Sequence, residues 1–389
     1  MAKLGDVFNL QMGKTPARAN SAYWTDGTND WVSIADLSSY EKYVDGTKEK
    51  ITDLAVQESG IKKVPANTVI MSFKLSLGKT AITKTPVYTN EAIMAFLPSG
   101  KYDVYPDYFF HLFSGKDWSD GTNRAVMGVT LNKATLSNIE IDIPPLNEQR
   151  RIAAVLDKVT DLIAQRRAQL DKLDLLVKSR FVEMFGDPIK NDHGWDVISL
   201  IDATTKIGSG ATPKGGQASY QSSGISLIRS MNVYDGNFVH RELAHISDSQ
   251  AKLLDNVSVN KNDILFNITG ASIARACIVP EDILPARVNQ HVAIIRCKPS
   301  SFNPIFVNQQ LINVSYKKLL LSIGESGGAT RQAITKQDLS NTSIIAPPII
   351  FQNQYAKFVT HIQNIKSKVQ CSLAELVVLK ESLMQKYFE

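Results

Sequence analysis

Two stretches of this chain launch a long helix in the same way. Ile143-Pro144-Pro145-Leu146-Asn147-Glu148-Gln149 opens one amphipathic run before the midpoint of 389 residues, and Ala346-Pro347-Pro348-Ile349-Ile350-Phe351-Gln352 opens another near the end. From Ile152, positions 152, 156, 159, 163, 166, 170, 173, 177, 180 and 184 step by four and three, and eight of the ten are apolar. The run has no internal Pro or Gly until Gly186 and Pro188 stop it. In the second run the same stepping passes through 355, 358, 362, 365, 369, 372, 376, 379 and 383. A stripe sustained over about five heptads needs a partner helix, and each run supplies one. Burial of each helix in a separate globule is the competing arrangement, and such unbroken stripes exceed the usual helix length.

The helices belong to a longer repeat. Gly13-Lys14-Thr15-Pro16 recurs as Gly210-Ala211-Thr212-Pro213 and Tyr23 as Tyr220, at an offset of 197. Leu136-Ser137-Asn138 and Pro144-Pro145 recur as Leu339-Ser340-Asn341 and Pro347-Pro348, at an offset of 203. Anchors kept at both ends with a drifting offset between them indicate loop variation on one scaffold. The parts before each helix hold short β-branched runs, "DWVSIADL", "NTVIMSF", "NDILFNITG" and "HVAIIRC", broken by Gly, Asn, Asp and Pro, with helical interruptions at Pro106–Phe113 and Pro304–Ile323. The expected fold class is α/β (mixed α+β). Two similar globular domains, 1–145 and 188–346, are separated by two long helices, 146–187 and 347–389. If the helices pack antiparallel as a coiled coil, the chain acquires a pseudo-two-fold arrangement. A helix over 147–185 would be roughly 58 Å long at about 1.5 Å per residue.

Composition narrows the function classes. A hydrophobic content of 43% suits packed cores. The N-terminal "MAKLGDVFNL" lacks the pattern of a signal peptide and no apolar run is long enough to span a bilayer, so a cytoplasmic protein is expected. Three cysteines without a CxxC pair argue against a disulfide framework or a thiolate zinc site. The net charge of +5 is spread thinly: −1 over 1–145, and +2 over each of 146–190, 191–346 and 347–389. Charge alone therefore does not decide for or against nucleic acid.

Familiar catalytic patterns fail on inspection. Gly13-Lys14-Thr15 and Gly78-Lys79-Thr80 have Phe8 and Phe73 where a Walker loop needs its first glycine. Gly208-Ser209-Gly210 has Pro213 where a dinucleotide loop needs its third glycine. The double prolines lack the preceding Asp or Asn and the following aromatic residue of an amino-methyltransferase loop. No lysine has a carboxylate two residues before it, as nuclease cores commonly require. The six histidines show no metal-ligand spacing. The chain reads as non-catalytic, with no cofactor and no metal of its own.

"GKTPARANSAYWTDGTNDWVSIADLS" (Gly13–Ser38), "SFKLSLGKTAI" (Ser72–Ile82) and "IEIDIPPLNEQRRIAAVLDKV" (Ile139–Val159) resemble the target-recognition domain and spacer helix of specificity subunits of type I restriction-modification enzymes. "GSGATPKGGQASY", "FNITGASIARACIV", "NQHVAII" and "APPIIFQNQYAKF" carry the resemblance through the second half, although Trp31-Val32-Ser33 is echoed only loosely by Leu227-Ile228-Arg229. The resemblance implies a DNA-recognition subunit in which each globular domain reads half of a split site on double-stranded DNA. It implies that the helices set the spacing and dock two adenine-N6 methyltransferase subunits, which would bring S-adenosylmethionine. Restriction (translocase-nuclease) subunits would complete the assembly.

Base edges and phosphates are contacted by Arg, Lys, Asn, Gln, Ser and Thr. Loop clusters of those types nominate Lys14, Thr15, Arg18, Lys74, Lys79, Asn123 and Arg124 in the first half. In the second half they nominate Thr212, Lys214, Gln217, Asn267, Arg275, Asn289, Gln290, Arg331 and Gln332. Tyr23 and Trp31 are expected in the core. On the helices, Gln149, Arg150, Arg151, Arg166, Arg167 and Lys172 are expected to be exposed and to face a methyltransferase subunit or the DNA backbone, with a solvated coiled-coil flank as the competing reading. Two other function classes compete: a self-sufficient DNA methyltransferase or nuclease with an unrecognised site, and a coiled-coil adaptor that binds only proteins.

Overall fold

Short β-branched runs separated by turn residues give antiparallel ladders in both halves of the chain. The computed structural model describes residues 1–74, 76–118, 123–125, 128–326 and 333–388, with the side chains of 123–125, 128–130 and 326 excepted. The chain divides into two compact units: Met1–Arg167 with Cys371–Glu389, and Ala168–Gln370. Each unit holds one globular part and one portion of each long helix.

In the first unit a five-stranded sheet runs in the order Phe8–Met12, Ile93–Pro98, Val69–Ser72, Thr80–Thr83 and Tyr43–Val44. The first four strands pair antiparallel and Tyr43–Val44 joins parallel. A three-stranded sheet, Glu49–Ile51, Asn29–Val32 and Tyr88–Thr89, includes a parallel pairing of Trp31 with Tyr88. The run "DWVSIADL" is a strand only as far as Val32. Ser33 caps a helix over Ile34–Ser39, its hydroxyl accepting from Asp36 N while the Asp36 carboxylate accepts from Ser33 N, and this reciprocal cap outweighs the β-branched pattern.

The second unit rebuilds the plan. Thr204–Ser209, Val292–Cys297, Ile264–Asn267 and Ala276–Ile278 form an antiparallel sheet in that order. Ala244–Ile246, Ile225–Ile228, Ala286–Val288 and Ser258–Val259 form the other, again with one parallel pairing, Leu227 with Arg287. The loosely echoed Leu227-Ile228 thus occupies the place of Trp31-Val32. The buried helix Pro106–Gly115 corresponds to Pro304–Leu311, and a further helix, Val314–Ser326, follows the latter. One helix over 304–323 was the expectation. Ile312 leaves helical geometry as the C-cap, and Asn313 then turns the chain, its Oδ1 accepting from Ser315 N at 3.0 Å.

The ends of each globular part are tied together. Ala2–Lys3 pairs with Glu140–Ile141, and Val197–Ser199 pairs with Ser343–Ile345. Immediately afterwards come the double prolines and helices of 40 residues, Leu146–Phe185 (the central helix) and Ile349–Phe388 (the C-terminal helix). Gly186 ends the central helix at φ +75°, donating to Val182 O at 2.8 Å.

Gln149 was expected to be exposed, and it is fully buried. Its Oε1 accepts from Tyr105 N at 2.9 Å, and its Nε2 donates to Asp103 O and Pro144 O, both at 2.9 Å. Gln352, also fully buried, repeats the pattern with Asn303 N at 2.9 Å, Ser301 O at 3.1 Å and Pro347 O at 2.7 Å. These glutamines lock the turn before the buried helix onto the first turn of the long one.

Within each unit the two helix portions run antiparallel. In the first, Ile152, Ala153 and Leu156 enter a core with Phe8, Tyr108 and Phe109, and Met384 and Phe388 pack against it. The Arg151 guanidinium lies 5.7 Å from the Tyr387 ring. In the second, Tyr355 sits 5.6 Å from both Phe181 and Phe185, and its hydroxyl donates to Val177 O at 3.2 Å. Lys366 pairs with Asp174 farther along. The seam follows the expected positions except near the end, where Leu379 is exposed and Lys380 takes the half-buried place. Seam residues at Leu376, Lys380 and Leu383 step by four then three, where the expectation stepped by three then four.

Candidate functional site

Three loops meet at one edge of each unit, held by matching main-chain bonds. Gly13 N donates to Ile93 O at 3.0 Å and Lys14 N to Thr89 O at 2.8 Å; Gly210 N donates to Val292 O at 2.9 Å and Ala211 N to Val288 O at 3.1 Å. A Cβ on either glycine would lie closer than 3.0 Å to neighbouring backbone carbonyls. Only glycine lets the Gly-x-Thr-Pro loop cross there.

The second loop is an Asx turn. Asn90 N donates to Val32 O and Asn289 N to Ile228 O, both at 3.0 Å. Each side-chain Oδ1 accepts from the amide two residues on, Ala92 N at 2.8 Å and His291 N at 3.1 Å. The third loop is the hairpin connection after Phe73 and Ile268, whose amides donate to Ala92 O and His291 O at 3.0 Å. Beside it returns a segment anchored by Leu131 N on Phe73 O at 3.1 Å and Ile334 N on Ile268 O at 2.9 Å.

Several of the nominated residues lie on these loops. Lys14 is exposed and donates from Nζ to Ser59 O. Thr15 accepts from Asn90 Nδ2 at 2.9 Å and donates to the Glu91 carboxylate. Lys74 follows Phe73, its ammonium 5.3 Å from that ring. Thr212, Lys214 and Gln217 are exposed, and the Lys214 carbonyl accepts from Gln250 at 3.1 Å. Gln290 is exposed at the apex of its turn. Arg275 stacks on Tyr234 at 4.5 Å. Lys79 is exposed at a cavity of about 990 Å³ in the first unit that Lys116, Lys380 and Asp161 also line.

Three nominations belong to the scaffold. Asn267 is fully buried at a strand end, donating to Ser230 O at 2.9 Å, and has no route to a base. Asn289 is buried as the turn former just described. Arg18 is exposed but engaged: its guanidinium stacks 3.9 Å from Trp24 and 4.8 Å from Trp31 and pairs with Glu49 at 3.0 Å. Asn123 and Arg124 lie on strand Asn123–Ala125, whose side chains fall outside the described residues, as do Arg331 and Gln332 altogether. Trp31 is core, its Nε1 donating to Lys14 O at 3.1 Å, and Tyr23 is half-buried with its hydroxyl on Glu58.

Sequence reasoning passed over Glu91, Thr269 and His291. Glu91 is an acid and so carries no ordinary sign of a nucleic-acid contact, although Asn90-Glu91 repeats as Asn289-Gln290 at an offset of 199.

Along the helices, Arg150, Arg167 and Lys172 are exposed and Arg166 is half-buried. Arg151 pairs with Glu148 at 2.6 Å. Beneath the first globular part, Asp157 of the central helix accepts from Lys42 Nζ at 2.6 Å and pairs with buried His111 Nε2 at 2.8 Å, while Lys42 also reaches Asp107. Burial alone would raise the Asp157 carboxyl, but hydrogen bonds from His111 and Lys42 outweigh it and hold the pKa below the ordinary range.

Burial pushes the Cys277 and Cys297 thiols up to about 12, which removes thiolate chemistry at neutral pH. Among the described residues, no group of three or more His, Cys, Asp or Glu is placed to hold a metal ion, and no helix is long and apolar enough to cross a membrane. What the edge displays is hydrogen-bonding side chains on turns whose backbones are fixed.

Comparison with known proteins agrees with this geometry. A family described as "Type I restriction modification DNA specificity domain" matches residues 1–173 and 193–372. The chain is 28% identical to the type I restriction enzyme MjaIX specificity subunit of Methanocaldococcus jannaschii, over 97% of this chain and 89% of that one. It is 25% identical to the EcoBI specificity subunit of Escherichia coli, over 72% and 64%. Its fold matches the crystal structure of the S subunit from M. genitalium with a TM-score of 0.61 at 12% identity, covering 100% of this chain and 95% of that one. A chain from a structure of complex assembly and conformational transition in the type I R-M system matches with the same TM-score at 19% identity, over 99% and 96%.

Proposed function

The chain belongs to the type I restriction modification DNA specificity family, and from that premise we propose that it is the non-catalytic DNA-recognition subunit of a methyltransferase and endonuclease complex. Each globular domain, 1–145 and 188–346, reads one half of a bipartite site on double-stranded DNA. The helices, 146–187 and 347–389, set the spacing between half-sites and dock two adenine-N6 methyltransferase subunits. S-adenosylmethionine then belongs to those subunits, and translocase-nuclease subunits complete restriction.

The observation that carries this reading is the loop edge built twice from the same hydrogen bonds while showing different side chains. Fixed turns with variable display suit base readout, where specificity comes from the donors and acceptors that reach base edges. Lys14, Thr15, Lys74, Thr212 and Gln290 are the nominated residues that stand on that edge. Arg150, Arg167 and Lys172 are exposed candidates for the methyltransferase face.

The test is reconstitution of the full chain with methyltransferase subunits, followed by sequencing of methylated adenines. A split recognition sequence with a constant gap is expected, and the chain alone should transfer no methyl group. Methyl transfer by the purified chain, or methylation without sequence preference in the assembly, would overturn the proposal.

A further inference from the structure

We propose that residue 91 in the first unit and residue 290 in the second are the equivalent base-reading positions of the two Asx turns. Glu91 would take the exocyclic amine of a cytosine, and Gln290 would take an adenine edge. This rests on the DNA-reading function proposed above and specifies its chemistry.

Both residues stand one place after an asparagine that closes the turn, half-buried Asn90 and buried Asn289, and both side chains are exposed. Each is steadied by one neighbour. In the first unit Asn90 Nδ2 donates to Thr15 Oγ1 at 2.9 Å, and the Thr15 hydroxyl in turn donates to Glu91 Oε2. Glu91 Oε1 keeps no partner among the described residues. In the second unit Thr269 Oγ1 and His291 Nδ1 are 2.7 Å apart, and His291 Nε2 is 3.2 Å from Gln290 Nε2. Gln290 Nε2 can only donate, so His291 Nε2 is the acceptor of this contact. One Gln290 N–H and its Oε1 remain free among the described residues.

The two displays differ in a way that base chemistry resolves. A carboxylate offers acceptors only, so among major-groove patterns it suits the cytosine N4 amine, and beside a phosphate backbone it is repelled unless such a donor is present. A glutamine offers an acceptor and a donor side by side, the pairing that adenine N6 and N7 complement. The same turn thus presents two different codes, and Thr15 acts as a positioning residue for the first.

The experiment uses the full chain assembled with methyltransferase subunits. Methylated-adenine maps and competition binding compare wild type with Glu91→Gln, Gln290→Glu and Thr15→Ala. Glu91→Gln should cut discrimination at one base pair of one half-site about tenfold or more, leaving the other half-site and the gap unchanged; Gln290→Glu should do the same in the opposite half-site. Thr15→Ala should blur the same base pair as Glu91→Gln. The inference is overturned if both exchanges leave the recognition sequence unaltered, or if binding weakens equally on every sequence with a changed salt slope, the mark of a backbone contact. A wild-type assembly that marks no split sequence would overturn the underlying function, and this inference with it.

Discussion

Replacing Gln149 by leucine keeps its bulk and removes three hydrogen bonds at once. Tyr105 N, Asp103 O and Pro144 O would each lose a partner at 2.9 Å, in a place that the glutamine shares with no solvent. At about 1 kcal/mol for each bond, the cost is about 3 kcal/mol, and more if the stranded main-chain groups stay dry. Gln352→Leu should cost a similar amount, since Asn303 N, Ser301 O and Pro347 O stand in the same relation to it. A chain of two units need not unfold in one step, so a single midpoint is a poor readout. Hydrogen exchange resolves the units separately. Gln149→Leu should lower amide protection around residues 103–113 about a hundredfold, the equivalent of roughly 3 kcal/mol, and leave residues 301–311 unchanged; Gln352→Leu should do the reverse. Unchanged protection in Gln149→Leu, together with weakened methyltransferase binding, would refute the reasoning and return Gln149 to the partner-facing role that its residue type suggests.

Gly13→Ala and Gly210→Ala each force a methyl group against backbone carbonyls; each should cost about 3 kcal/mol and abolish sequence preference in its own half-site, checked by urea titration and methylation mapping. Acid should loosen the first unit through Asp157: its pKa is depressed in the folded state, so its contribution is present above the unfolded carboxylate value near 4 and is lost as pH falls through the lower folded value. Asp157→Asn should flatten that acid limb in a pH series of first-unit exchange protection. For DNA affinity against salt, Lys14→Ala should reduce the log–log slope by about 0.9, whereas Arg18→Ala should leave it nearly unchanged, because Glu49 already neutralises that guanidinium.

The long helices were legible because their information is periodic and local. Residue spacing and the double prolines point to two long helices, and the fold has two of 40 residues, Leu146–Phe185 and Ile349–Phe388. The register near Leu379 and Lys380 was less legible, since Leu376, Val377, Val378 and Leu379 are four apolar residues in a row, and only packing against the partner helix leaves Val378 and Leu379 exposed. Asn267 and Asn289 were misread for a different reason. Their residue type suits loops and base contacts equally well, and only tertiary structure reveals that one is buried beneath Ser230 while the other closes a turn. Arg18 looked available because residue type alone does not show that Trp24, Trp31 and Glu49 fold onto its guanidinium. Gln149 looked exposed because its neighbours in the helix are polar, and its three partners lie before the helix begins.

Comparison of the two units separates residues that hold the edge from residues that it shows. The holders recur in kind: Gly13 and Gly210 where backbones cross, Asn90 and Asn289 where the turn closes, and Gln149 and Gln352 where the helix is pinned. The shown residues differ at three places, Lys14 against Ala211, Lys74 against Thr269 and Glu91 against Gln290, while Thr15 and Thr212 agree. A scaffold serving only stability would gain nothing from exchanging a carboxylate for an amide on an exposed turn, since surface changes of that kind usually alter stability by less than about 0.5 kcal/mol. A scaffold that must read two different half-sites needs such exchanges there and cannot tolerate them at the glycines, asparagines and glutamines beneath. The duplicated architecture therefore has a physical division of labour, with buried hydrogen bonds fixing where a side chain stands and the exposed turn leaving its identity free to change.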